Sequence, residues 1–187
     1  MKETVSIILI ATFIIQRIIW SLTDPRSLKE RFNWIKEPIH LITGTITMGS
    51  GILAFILYFK DYYLITGYET FVSVLGVILT ISGSLFAGWA RIYMGKFWAP
   101  ANTGHSDKQT KLHTEGPFKY SRNPIYAGLL ISAFGFYLAL NSYLIITIGL
   151  IYWYFNKSIK TEEPLLIKHF GEKYQNYKKI TPRLLFR

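Results

Sequence analysis

Two segments of this 187-residue chain carry side chains whose types and spacing could do chemistry. The first runs Thr114-Glu115-Gly116-Pro117-Phe118-Lys119-Tyr120-Ser121-Arg122-Asn123-Pro124-Ile125-Tyr126. Its two prolines and one glycine make a rigid, non-helical approach, and Pro124 suits the first turn of a helix, where its missing N–H costs nothing. The second begins Thr161-Glu162-Glu163-Pro164 and continues to Tyr177. Adjacent carboxylates can accept from hydroxyls or face cations, and the guanidinium of Arg122 can fork onto a carboxylate. Phe118, Tyr120 and Tyr126 offer π-faces to a flat ring or a cation, worth ~0.5–2 kcal/mol each when desolvated.

Taken singly, each feature has a plain structural reading. Arg122 alone reads as a membrane-surface anchor, Arg91 as a snorkelling helix foot, and Gly116-Pro117 as a turn. The glutamate pair alone reads as a solvated helix end, although carboxylates close to a membrane are costly unless a cation pairs with them. His105 and His113 lie in a polar loop without acidic partners, so no metal site is expected. The aromatic run 152–155 fits an interfacial belt.

The elements that must position these groups are apolar helices. Half of the chain is hydrophobic and only 17% is charged, against roughly 25% in a soluble domain. That composition excludes a disordered chain, and zero cysteines exclude a disulfide scaffold and thiolate chemistry. The net charge of +10 does not point to nucleic acid, because the basic residues lie between long uncharged runs rather than on a water-facing surface. Residues 4–16 (continuing through Arg17 to about residue 22), 38–59 and 70–90 are each suited to a spanning helix. Residues 123–156 contain no charge at all. As one helix they would be ~51 Å long, too long for a hydrocarbon core of ~30 Å. They must fold back, and Leu140-Asn141-Ser142-Tyr143 is the expected corner.

The expectation is therefore an all-α polytopic membrane protein forming one domain. It has about five transmembrane helices, a C-terminal helical hairpin and an amphipathic cytoplasmic tail helix starting or kinking at Pro164. Nineteen of the twenty-one Lys/Arg, all but Lys2 and Lys60, then fall toward one side. The positive-inside rule puts the N-terminus outside and the C-terminus, with the polar segments, in the cytoplasm. The first helix has no small-residue cleavage site and reads as retained rather than as a signal peptide. Small residues at Gly83, Ser84, Ala87 and Gly88, and at 44–51, mark expected close helix contacts.

The pair of blocks G-P-F-x-x-S-R-N-P-x-Y and E-E-x-x-L-x-x-x-F-G-x-x-Y-x-x-Y resembles the isoprenylcysteine carboxyl methyltransferase and phospholipid methyltransferase superfamily. The likeness covers about 91–187, leaving 1–90 as N-terminal transmembrane helices. It implies an integral membrane enzyme that uses S-adenosylmethionine and takes a lipophilic or lipid-modified acceptor from the bilayer. It further implies a cofactor pocket built from His113, Gly116, Pro117, Phe118, Arg122, Asn123, Pro124, Tyr126, Glu162 and Glu163, with Arg122 and Arg91 as catalytic candidates and Arg91 facing an anionic acceptor head group. Two positions depart from the usual pattern. Asn123 stands where histidine is commoner, and Thr110 stands six residues before the glycine where a histidine is usual. The reading is closest to a carboxyl O-methyltransferase. A phospholipid amine N-methyltransferase, a membrane reductase related to sterol reductases and a non-enzymatic member of the fold are the alternatives.

The topology has a direct test. Single cysteines at Ser27, Ser106 and Lys178 should label only from the cytoplasm, and one at Tyr63 only from outside. Labelling of Ser106 and Tyr63 from the same side would break the five-helix arrangement.

Overall fold

A computed structural model describes residues 1–24, 28–36, 38–95 and 111–185. The described residues form helices joined by turns and short loops, without strands. The order is α1 (Lys2–Thr23), α2 (Leu28–Lys36), α3 (Pro38–Phe59), α4 (Glu69–Met94), a 3-10 turn (Gly116–Lys119), α5 (Pro124–Ala139), a second 3-10 turn (Tyr143–Thr147), α6 (Ile148–Phe170) and α7 (Glu172–Ile180). Lys96, Trp98, His105 and the polar stretch 102–108 lie outside the described residues.

Helices α1, α3 and α4 are long and apolar enough to cross a membrane, and at most 39% of any of their apolar windows is buried in protein. Their outer faces carry Ile7, Phe13, Ile14, Ile56, Phe71, Ile78 and Leu85 in exposed positions. In water such a surface would drive aggregation; in lipid it is the expected solvent-facing face. Helix α5 is apolar but has only 16 residues.

With lipid outside, apolar burial does not hold the helices together, and close backbone approach must. The tightest contact is α4 on α5. A Cβ on Gly128 would fall 2.6 Å from the Ala87 nitrogen and 2.7 Å from the Gly83 oxygen. Gly76 and Gly83 of α4, and Gly135 of α5, are blocked in the same way by the facing backbone. Ser84 and Ser132 add a hydroxyl pair at 2.8 Å across this seam. The small-residue reading of α4 thus holds at Gly83 and Ala87, while its partner face, Gly128-x3-Ser132 and Gly135-x3-Ala139, went unread in the sequence. The 44–51 patch is different. Gly44 and Gly49 have open space beside them, and Gly51 meets only the ring of Phe136 at 3.8 Å, so no helix packs closely there.

The long uncharged run folds back where expected, at Leu140–Ser142. Asn141 is fully buried and takes the left-handed conformation, φ 46, which asparagine tolerates better than most residues. Its side chain clamps the α3–α4 connection: Nδ2 donates to the Ile65 carbonyl at 2.6 Å and Oδ1 accepts from the Ile65 N–H at 2.9 Å. The Asn141 carbonyl also accepts from Leu64 N–H at 2.8 Å. Below it, Leu9, Ala54, Tyr58, Tyr137 and Leu140 form one of two hydrophobic clusters.

The tail differs from expectation. Pro164 neither starts nor ends a helix but lies inside α6, and the break falls at Gly171, whose φ of 55 ends α6 and opens α7. One face of this tail carries Leu166, Phe170, Tyr174 and Tyr177. It packs on Met94 and Phe118 as the second cluster, because the 116–119 turn presents an aromatic ring to it.

Asn141→Ala would strand the Ile65 N–H and C=O and place alanine at a left-handed φ. It should cost about 2–4 kcal/mol, read as a lower melting temperature in detergent and faster proteolysis between α3 and α4. A variant with the parent's melting temperature would sink the clamp.

Candidate active site

The two motif blocks meet. Gly116 opens the first with φ 58, and a Cβ there would come within 2.9 Å of the Tyr93 ring, so both backbone and space demand glycine. Pro117 then starts a single 3-10 turn that carries Phe118 into the second cluster, against Tyr174 and Tyr177. The Tyr177 hydroxyl donates to the Phe118 carbonyl at 2.5 Å. On its other side the Phe118 ring lies 5.6 Å from His113 and 6.2 Å from Tyr93. Burial, and then the charge of Lys111, lower the pKa of the His113 imidazole.

The chain next passes Ser121 and Asn123 and enters α5 at the fully buried Pro124. Asn123 is engaged through its nitrogens, and Pro124 is packed away. The Asn123 amide donates to the Arg183 carbonyl at 2.9 Å, and its backbone N–H donates to Ser121 Oγ at 3.0 Å.

Charge is concentrated where α5 begins and α6 leaves its apolar stretch. Arg122 Nη1 donates to Glu163 Oε1 at 2.6 Å, with both side chains 7% exposed. Arg183 grips the same carboxylate with two nitrogens, Nη2 to Oε2 at 2.7 Å and Nε to Oε1 at 3.2 Å. Lys178 Nζ stands 3.9 Å from Oε2. Burial pushes the Glu163 carboxyl up, but the Arg183 hydrogen bond and the charges of Arg122, Arg183 and Lys178 outweigh it, so its pKa lies below the ordinary value. Glu163 is an ionised, saturated carboxylate.

Its neighbour is the opposite case. Among the described residues Glu162 accepts one hydrogen bond, from the Tyr126 hydroxyl at 3.1 Å, and faces none of those cations. Burial raises its carboxyl to about 7, against the opposing effect of the Tyr126 bond. Two consecutive glutamates are thus made chemically distinct by their surroundings, the arrangement that commonly separates a working carboxyl from a structural one. Arg122 also keeps something in reserve: its Nε is buried and has no hydrogen-bond partner among the described residues.

The site borders a cavity. Tyr126 packs on Phe155 with ring centroids 4.9 Å apart. Phe155 in turn lines a cavity of about 510 Å³ among α1, α3, α4, α5 and α6, together with Phe13, Gln16, Arg17, Trp20 and Ile151. The walls are mostly apolar. Arg91 is fully buried at the foot of α4, the helix that touches the 116–119 turn.

The structure therefore brings Arg122, Tyr126, Glu162 and Glu163 into one polar cluster, and His113, Gly116, Pro117 and Phe118 into an adjoining aromatic turn. It adds Arg183, which sequence reasoning missed. That residue lies outside both motif blocks, and nothing in its neighbours' spacing marks it.

The family model described as "Phospholipid methyltransferase" matches residues 71–173. A probable protein-S-isoprenylcysteine O-methyltransferase of Oryza sativa subsp. japonica is 33% identical over 109 residues, 57% of this chain and 57% of the relative. Protein-S-isoprenylcysteine O-methyltransferases of Schizosaccharomyces pombe and Xenopus laevis are 29% and 33% identical, over 64% and 60% of this chain and 50% and 40% of their own lengths. The chain thus spans about half the length of the curated relatives it matches. The model match covers more than half of the chain and takes in the first motif block and most of the second: this protein belongs to the phospholipid methyltransferase family.

Proposed function

We propose that the protein is an integral membrane methyltransferase that moves a methyl group from S-adenosylmethionine to a lipophilic acceptor drawn from the bilayer. In activity it is most like an isoprenylcysteine carboxyl O-methyltransferase. The observation that carries this reading is that one cluster holds a buried guanidinium nitrogen, Arg122 Nε, without a hydrogen-bond partner and, beside Glu163, a carboxyl without a cation, both among the described residues. A zwitterionic ligand satisfies both. S-adenosylmethionine fits that donor set, with one carboxylate, an ammonium, a sulfonium and ribose hydroxyls, and when bound it supplies the electrophilic methyl group.

On this reading Arg122 directs its Nε edge to the cofactor carboxylate, since a fork matches a carboxylate better than a point charge does. Glu162 faces the ammonium or the ribose hydroxyls, oriented by Tyr126. Glu163 holds Arg122 in place. Gly116, Pro117, Phe118 and His113 form the aromatic wall, and Asn123 with Pro124 fixes the direction in which Arg122 enters α5. Arg91 is assigned to an anionic acceptor head group. The apolar cavity beyond Phe155 supports a lipophilic acceptor. Methyl transfer is an in-line displacement, so holding the two reactants in line in a water-poor site supplies most of the rate. A carboxylate acceptor needs no base.

One observation favours a second acceptor class. A partly buried carboxyl with a pKa of about 7 is suited to take a proton near neutrality, which an amine acceptor requires and a carboxylate does not. In both cases the hairpin α5–α6 completes five crossings, with the N-terminus outside and the site and C-terminus in the cytoplasm at the cell membrane.

The test is to titrate S-adenosylhomocysteine, which keeps the ammonium and carboxylate, into folded, detergent-purified protein. Only the ionised Glu162 attracts the ammonium, and its raised pKa means that it is neutral on the acid side. Affinity should therefore rise as pH increases through about 7. Glu162→Gln should weaken binding roughly tenfold to a hundredfold at the alkaline end, for the loss of a charge-assisted bond worth about 1.5–3 kcal/mol, and should flatten the pH dependence. Parent-like binding by Glu162→Gln at every pH would remove Glu162 from the pocket.

A further inference from the structure

Residues 181–185 follow the last helix and lie beyond the span matched by the family model. They fold back as a strap over the start of α5. Arg122 N–H donates to the Pro182 carbonyl at 2.9 Å, and Ser121 Oγ and the Asn123 amide both donate to the Arg183 carbonyl, at 3.3 Å and 2.9 Å. The strap carries a single guanidinium into the site, and all three of its nitrogens are engaged. Nε and Nη2 hold Glu163, while Nη1 donates to Asn156 Oδ1 at 3.4 Å. Arg122 is used differently. It gives Glu163 one nitrogen, and its buried Nε has no partner among the described residues.

That asymmetry has a consequence for charge sharing. A buried carboxylate draws every donor within reach, and a fork-on-fork pair with arginine is its preferred arrangement. Glu163 already has that pair with Arg183. Without it, Oε2 would keep only Lys178 at 3.9 Å, and Arg122, the nearest remaining guanidinium, would turn to span both oxygens. Its Nε edge would then be lost to any other anion.

We infer that Arg183 is a positioning residue: by occupying Glu163 with two nitrogens, it keeps the Nε edge of Arg122 available to a carboxylate-bearing ligand. The inference rests on the cofactor reading above and adds to it a residue from outside the matched span. The strap is thus part of the site, and its contribution to binding is made through Arg122.

The experiment uses the full chain in detergent, with S-adenosylhomocysteine titrated calorimetrically at fixed pH. Arg183→Ala should weaken binding roughly tenfold or more, the size of one charge-assisted bond. Arg183→Lys keeps the charge without the fork and should fall between. The decisive variant adds Glu163→Gln to Arg183→Ala: the neutral amide oxygen still accepts the one bond that holds Arg122 but no longer draws it across, so affinity should return toward the parent's. A purely structural strap gives no such rescue. Parent-like affinity in Arg183→Ala, or a double variant that binds no better than Arg183→Ala, overturns the inference while leaving the cofactor reading intact. If Arg183→Ala does not purify folded, Arg183→Lys decides, and parent-like affinity there overturns it. A parent that does not bind at all overturns the cofactor reading, and the inference with it.

Discussion

The Glu163 carboxylate is buried at 6% exposure, and a charge so placed persists only if cations and hydrogen bonds replace the water it has lost. Three elements supply them: Arg122 from the start of α5, Lys178 from α7 and Arg183 from the strap. Satisfying one side chain therefore ties α6 to the start of α5, to α7 and to the strap. Removing a single partner of such a group typically costs ~3–5 kcal/mol, far more than an exposed ion pair. Glu162, one residue earlier, accepts from the Tyr126 phenol and has no cation beside it among the described residues.

The rest of the fold supports that cluster from two directions. Close contact along the α4–α5 seam, where Gly76, Gly83, Gly128 and Gly135 admit no side chain, sets α5 against α4 and so sets Arg122 and Tyr126 beside the 116–119 turn. At the opposite end, Asn141 closes the hairpin and ties it to the α3–α4 connection. Beside the first cluster, whose Leu9 and Tyr137 line it, the cavity reaches Phe155 and so the ring of Tyr126. A rigid polar end and an open apolar middle suit a reaction between a water-soluble donor and a lipid-dissolved acceptor.

Much of this was legible in the residues. The uncharged runs marked the apolar helices, and the length of 123–156 forced a turn that the structure places at Asn141. The two motif blocks contain Arg122, Tyr126, Glu162 and Glu163, which the structure brings into one polar cluster. What the sequence hid was tertiary. A glycine on α4 shows that something comes close, but the matching small residues on α5 read as ordinary apolar helix until the two are seen together. Pro164 suggested a helix boundary, yet its missing hydrogen bond is tolerated inside α6 and the positive φ of Gly171 makes the break instead. Arg183 carried no local pattern, since its role depends on a carboxylate twenty residues away. The adjacency of Glu162 and Glu163 suggested one function for both, and only their different partners separate them.

The central claim is that the buried polar cluster at Arg122 and Glu162 receives S-adenosylmethionine and not a nicotinamide cofactor, as the reductase alternative would require. Isothermal calorimetry of the detergent-solubilised parent with S-adenosylhomocysteine and, separately, with NADPH tests it most directly. The account predicts saturable heat with S-adenosylhomocysteine that is lost when Arg122 and Glu162 are both replaced, and none with NADPH. Saturable binding of NADPH with no response to S-adenosylhomocysteine would contradict it.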